Sequence, residues 1–394
     1  MTKNEGKEIV NRLFQEHFGC ISKSGSGVFF APGRINLIGE HTDYNGGHVL
    51  PCAVSLGTYG LFQRRSDRKL RFYSGNEPGA GVIETSLDEL QPDRRFGWAE
   101  YPKGVLWAMK EEGFPIETGF DMAIYGDLPG GAGLSSSASL EILTGFAVRG
   151  LFDLDISDIK LALLGQKAEN EYCGVRSGIM DQFASALGRK DHAIFLNTAD
   201  LSYQYVPIRL PGAKIVISNT NRKHKLADSV YNERRRECQE ALDQLKKAVN
   251  IQNLCDLTPE EFEQHRGVIQ DPVLKKRARH VVYENARTLE AAKALKKGNI
   301  SRFGGLMNEA HESMRRDYEA TGIELDTLQE EALKIPGVIG SRMTGAGFGG
   351  CTVSIAEDSS IDRFIQEVGD AYLKEIGYAA DFYIAEIGSG PRRL

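Results

Sequence analysis

The stretch Gly126-Asp-Leu-Pro-Gly-Gly-Ala-Gly-Leu-Ser-Ser-Ser-Ala-Ser-Leu-Glu141 constrains the fold of this chain more than any other. A glycine-rich turn runs there into three hydroxyl residues and then into good helix formers. Upstream, Phe120-Asp-Met-Ala-Ile-Tyr125 alternates like a strand; downstream, Leu140, Ile142, Leu143, Phe146 and Ala147 keep an apolar stripe at helical spacing. The predicted order is strand, glycine loop, helix. Glycines let a backbone approach a ligand closely, and the first N–H groups of a helix lack intrahelical partners at the positive end of its dipole. One serine after one glycine would read as an ordinary N-cap. Gly130, Gly131, Gly133 and Ser135 to Ser137 together favour a phosphate cradle.

At 394 residues the chain exceeds one typical core, so two domains are expected, 1–208 and 209–394, with the boundary near Pro207 to Pro211. A net charge of −6 disfavours a nucleic-acid binder held by a basic surface, so any anion site must be local. Six cysteines without paired spacing suit a reducing compartment. The N-terminal residues lack a signal h-region, and no apolar run reaches spanning length. A soluble cytoplasmic protein is expected, with no membrane and no obligatory protein partner.

Helical patterns are predicted over 7–18, 100–112, 134–149, 159–172 and 179–187, and strands over 27–31, 48–62, 70–74, 192–196 and 213–219. Pro32-Gly33 is expected to break the first strand. The second half reads as mostly helical, over 226–249, 272–297, 300–318 and 325–334, and closes on a strand, a helix and a strand.

Gly345-Ala-Gly-Phe-Gly-Gly350 formally contains a dinucleotide fingerprint, but it precedes a strand rather than a helix. Close backbone contact is expected there, with a ligand or with the first glycine loop. A Walker loop and the protein-kinase signatures are absent. A nucleotide site would still need Mg2+, for which Ser137 and one of Glu169 or Glu171 are the nearest oxygen donors, although an arbitrary Glu on a helix is ordinarily solvated surface. Glu40-His-Thr-Asp43 packs hydrogen-bonding side chains into one loop; it is a polar turn or a grip on the hydroxyls of a neutral sugar. His41 and His48 have no further ligands at metal spacing. Asp181 opens an apolar helix, as a dipole-stabilised carboxylate or as the acceptor of a proton from an attacking hydroxyl, with Arg34 as a possible cationic partner.

Three of these stretches carry a family resemblance. Gly33-Arg-Ile-Asn-Leu-Ile-Gly-Glu-His-Thr-Asp-Tyr44, Leu128 to Ser139, and Gly345 to Gly350 resemble the three motifs of the galactokinases, members of the GHMP sugar and metabolite kinases, and the resemblance covers nearly the whole chain. The first motif is specific; the other two are shared with mevalonate and homoserine kinases. The resemblance implies a two-domain α+β fold with the active site in the inter-domain cleft, and ATP-dependent phosphorylation of galactose at its anomeric hydroxyl. It implies Asp181 as the catalytic carboxylate with Arg34 as its partner, and galactose held by Arg34, Glu40, His41, Asp43, Gly178, Asp181 and Tyr231. ATP would meet Ser74 and the loop Gly131, Ala132, Gly133, Leu134, Ser135, Ser136 and Ser137, with Mg2+ on Ser137 and Glu169. Ser177 departs from the cysteine of many relatives, and Gly130 from a larger residue. Both are expected to matter little. A kinase for a related sugar such as N-acetylgalactosamine, and a galactose sensor without catalysis, are the competing readings.

Overall fold

Alternating apolar residues in the first half place side chains on both faces of one sheet. The computed structural model describes residues 2–128, 133–175, 177–222 and 227–394, with 227–229 as backbone alone. Helix α1 (Lys3–Phe18) leads into β1 (Ser26–Asn36), β2 (His48–Val49), β3 (Pro51–Arg64), β4 (Lys69–Ser74) and β5 (Ile83–Ser86). There follow α2 (Glu100–Glu111), β6 (Phe120–Gly126), α3 (Ser136–Phe152), α4 (Asp158–Lys167), α5 (Met180–Leu187), β7 (His192–Asn197) and β8 (Tyr203–Pro207). The second half runs β9 (Ala213–Asn219), α6 (Ala227–Leu245), α7 (Pro259–His265), α8 (Pro272–Lys296), α9 (Ile300–Ser313), α10 (Ile323–Lys334), β10 (Val338–Thr344), β11 (Cys351–Glu357), α11 (Ile361–Ile376), β12 (Asp381–Ala385) and β13 (Arg392–Arg393). The α+β expectation holds.

The large sheet has the order β13-β1-β3-β6-β4-β5, antiparallel except where β4 meets β6. Val28 and Phe30 pack with α1 residues Val10 and Phe14 on one face, whereas Phe29 and Ala31 join a core with α2, α3, α4 and α5 on the other. This is the period of two that a strand buried on both sides requires. A second sheet, β10-β11-β9-β12, is antiparallel throughout and is backed by α9, α10 and α11. Residues from both halves share a core: Ile35, Leu37 and Leu50 pack with Ile217, Val353 and Phe303.

Two local expectations need correction. The first strand does not stop at Pro32-Gly33 but continues to Asn36 opposite Pro51, with a register shift between Pro32 and Arg34. A bulge absorbs the missing proline donor and re-aims the residues that follow it. The helix expected over 159–172 ends as α at Lys167, and Ala168–Tyr172 is a π-turn. Elsewhere the six cysteines stay unpaired, and among the described residues no helix is long and apolar enough to cross a membrane.

Candidate active site

Helix α3 begins without a side-chain cap. Ser135 occupies the N-cap position, yet its backbone is left-handed (φ 59°) and its hydroxyl caps nothing in the helix. Instead Ser135 Oγ donates to Asp181 Oδ2 at 2.5 Å. The first N–H groups of α3 are left for an anion, as a phosphate cradle requires. Leu134 is buried in the core shared by the two halves, and its carbonyl accepts from Arg34 N at 3.1 Å, so it anchors the loop from below. Gly131 and Ala132 lie outside the described residues. Gly133 meets the second glycine run: its carbonyl would stand 3.0 Å from a Cβ placed on Gly345. Of the two contacts expected for that run, the one with the first glycine loop is present.

Arg34 ties β1 to this loop. It donates from Nε to Asp181 Oδ1 (2.9 Å), from Nη2 to Asp181 Oδ2 (2.8 Å) and from Nη1 to the Gly133 carbonyl (2.5 Å). The guanidinium is almost fully buried and pairs bidentately, the arrangement that fixes a carboxylate most firmly. With the Ser135 hydroxyl, three donors fall on Asp181. An ionised carboxylate offers about four lone pairs, so one direction remains for a ligand.

Asp181 and Arg34 line a cavity together with Glu40, Asp43, Gly178 and Tyr231. The polar loop after β1 therefore faces the residue at the start of α5. A Cβ on Gly178 would collide with the Asp43 carboxylate, so glycine there lets Asp43 reach the cavity wall. Burial, with Asp181 as the next cause, raises the Asp43 carboxyl to about 6. Burial also raises Glu40 to about 7, against the pull of Arg342.

His41 also lines the cavity, but its polar atoms are committed elsewhere. Burial lowers it to about 3, so the ring is neutral with one proton. Nε2 lies 3.1 Å from the Ala346 carbonyl, which can only accept, and this assigns the proton to Nε2. Nδ1 then accepts from Tyr44 OH (2.7 Å), which leaves Tyr44 accepting from Tyr318 OH (2.7 Å). The ring rests 4.4 Å from that of Tyr318 and 5.6 Å from that of Tyr231. What His41 offers the cavity is a ring face and edge.

A second cavity opens on the other side of the glycine loop, lined by Ser74, Thr58, Trp98, Tyr101, Ser136 and Ser137 among others. Ser137 Oγ donates to Glu169 Oε1 at 3.0 Å, and Glu169 belongs to the lining of the first cavity. That bond joins the two cavities. Glu169 is 6 % exposed whereas Glu171 is exposed, so the π-turn separates the two acids that the sequence left as alternatives. Oε2 of Glu169 accepts from Ser177 Oγ (2.6 Å) and from Gln182 Nε2 (2.8 Å), which also reaches Glu141 Oε2 (2.9 Å). Ser177 thus matters more than expected, because its hydroxyl holds Glu169. Sequence reasoning missed Gln182, Glu141, Tyr318 and Arg342. The one signal for Arg342 was an arginine inside the strand-like run ending at Thr344, where no solvated face was available.

Comparisons with known proteins cover nearly the whole chain. The "Galactokinase galactose-binding signature" matches residues 12–64, "GHMP kinases N terminal domain" residues 100–189 and "GHMP kinases C terminal" residues 291–374. A galactokinase of Clostridium acetobutylicum is 51% identical over 98% of this chain and 100% of its own. One of Ligilactobacillus salivarius is 50% identical over 98% of this chain and all of its own. The crystal structure of Lactococcus lactis galactokinase complexed with galactose superposes with a TM-score of 0.96 at 47% identity, covering 98% of this chain and 99% of that one. Methanococcus jannaschii mevalonate kinase, at 18% identity and a TM-score of 0.63 over 93% of this chain and 100% of its own, shares the fold.

Proposed function

The chain belongs to the galactokinase family, and from that premise we propose that it transfers the terminal phosphoryl group of ATP to the anomeric hydroxyl of galactose, giving galactose 1-phosphate and ADP. One observation carries the reading: the bidentate Arg34–Asp181 pair, bonded to Gly133 and Ser135 of the glycine loop, lies in the wall of a cavity lined by Glu40 and Asp43. Acceptor and donor residues thus meet at one carboxylate.

Galactose occupies the first cavity, with Asp43, Glu40 and Tyr231 taking its hydroxyls and Gly178 leaving room for Asp43. The His41 ring packs against it. ATP occupies the second cavity, its phosphates on the uncapped start of α3 and the glycine loop from Gly131 to Ser137, with Ser74 in the nucleotide pocket. Asp181 uses its remaining acceptor direction to orient the anomeric hydroxyl and takes the hydroxyl proton as the new O–P bond forms. Phosphoryl transfer passes through a loose transition state, so orientation contributes more than basicity. Arg34 balances the charge that gathers on the moving phosphoryl oxygens.

Ser137 and Glu169 fit Mg2+. Their oxygens are adjacent and hard, and Glu169 is buried beside Glu141 and Asp181 with only neutral donors bonded to it. Mg2+ prefers one or two protein oxygens plus phosphates and water, and among the described residues no cluster of three acidic, His or Cys side chains would cage it. When bound, the ion neutralises phosphate charge. We place the reaction in the cytoplasm, with residues 1–208 and 209–394 as the two domains flanking the cleft and no obligatory protein partner.

ADP release measured with galactose, N-acetylgalactosamine, glucose and mevalonate tests this. Turnover is expected with galactose far above the rest. Preference for another acceptor would overturn the sugar assignment, and sugar binding without release under any condition would favour a sensor.

A further inference from the structure

Glu40 does not stand alone behind the sugar cavity. Arg342, on β10 and 0% exposed, pairs through Nη1 with Glu40 Oε2 and lies 3.6 Å through Nη2 from Glu284 Oε1 on α8. Glu284 in turn accepts from Gly39 N (2.9 Å) through Oε1 and from Arg287 Nε (2.8 Å) through Oε2. Glu40 Oε1 accepts from Gly345 N at 3.1 Å, and its own carbonyl lies 3.2 Å from His280 Nε2. Two carboxylates and two guanidiniums are therefore gathered in one mostly buried cluster behind the cavity. His41 and His280, which adjoin it, are each lowered to about 3 and carry no charge; His311, lowered by burial, accepts the Met343 N–H through Nδ1 at 3.0 Å.

We propose that Arg342 is a positioning residue for the sugar: acting only through Glu40, it holds that carboxylate at the wall of the first cavity and favours its ionised form against burial. The inference rests on the galactose reading of that cavity. Among the described residues Arg342 is the cation paired with Glu40, whereas Arg287 pairs with Glu284. Nε and Nη2 of Arg342 have no hydrogen-bond acceptor among the described residues, so the guanidinium is held there chiefly by the carboxylates it faces. Burial is the largest influence on Glu40 and Glu284 adds to it; Arg342 is the main opposing charge. A buried carboxylate that loses its counter-charge takes up a proton rather than remain unpaired. A protonated Glu40 would accept hydrogen bonds poorly from a sugar hydroxyl.

The test is equilibrium binding of galactose and of ATP, measured separately between pH 6 and 9, on the unsubstituted protein, Arg342→Met, Arg342→Lys and Glu284→Gln. Arg342→Met is expected to weaken galactose binding at pH 7 by about fivefold or more, because a rise of one pKa unit from about 7 takes the ionised fraction from about a half to about a tenth. ATP binding should stay within about twofold, because neither Arg342 nor Glu284 lines the second cavity. The loss should shrink as pH rises, and Arg342→Lys should recover much of it. Glu284→Gln removes a negative neighbour and should shift the acid limb of galactose binding to lower pH. It keeps the oxygen that accepts from Gly39, so it tests the idea even where Arg342→Met does not fold. Equal loss for both ligands, no advantage of Lys over Met, or an unmoved acid limb in Glu284→Gln would overturn the proposal. Failure of the unsubstituted protein to bind galactose would instead overturn the reading beneath it.

Discussion

The first cavity and the glycine loop meet at Asp181, and the two sides of that contact are built by different means. The acceptor side is made of side chains set in place by other buried groups: Glu40 by Arg342 and Gly345, His41 by Tyr44 and Ala346, while Asp43 lies in the space that Gly178 leaves. On the donor side, the described part of the phosphate cradle is a helix start with no side-chain cap and a glycine whose carbonyl is held by Arg34. Backbone N–H groups recognise a phosphate on any nucleotide-using protein, whereas a sugar is told from its epimers only by side chains held at fixed positions. Selectivity is therefore expected to live in long-range packing and phosphate binding in local geometry.

The largest test strikes the junction. Asp181→Ala should lower turnover by at least about 10²-fold, in keeping with loss of a positioned proton acceptor, while ATP still binds. Near-normal turnover would remove Asp181 from the chemistry. Next comes the acceptor wall alone. Gly178→Ala forces the Asp43 carboxylate aside, and misplacement of that order can cost about 10²-fold, expected here in the KM for galactose with the KM for ATP unchanged. Equal changes in both would dissolve the distinction between the sides. The third probes the donor wall. Gln182→Leu removes the amide that holds Glu169 and should raise the Mg2+ concentration for half-maximal activity by about tenfold, the lower range for groups behind a metal ligand, with galactose affinity unaltered by direct binding. A change in galactose affinity would show that the two walls are not independent.

The same contrast explains what could be read from the sequence. The strand Phe120–Gly126 and the helix Ser136–Phe152 were legible because spacing, glycine and hydroxyl content act over a few residues. Arg34 and Asp181 were each visible as candidates, but their contact spans a sequence gap that no local pattern reports. Arg342 and Glu40 are farther apart still, and a lone arginine in a strand names no partner. Glu169 could not be separated from Glu171 because the π-turn adds a residue to one turn and breaks the helical period on which burial arguments rest. Pro32-Gly33 misled for the opposite reason: proline usually ends pairing, but here a bulge lets the ladder resume and carries Arg34 toward Asp181.

The short strand β13 ties the timing of assembly to the site. Arg393 pairs with Phe29, and Arg392 with Phe30, on the strand whose far end carries Arg34. During synthesis that flank of β1 stays bare until residues 392 and 393 emerge, long after the rest of its sheet is available. An unpaired flank is an invitation to another chain. Arg34 thus sits on the strand whose sheet edge is covered last, and nascent molecules would be most vulnerable to misassociation just before that edge is closed.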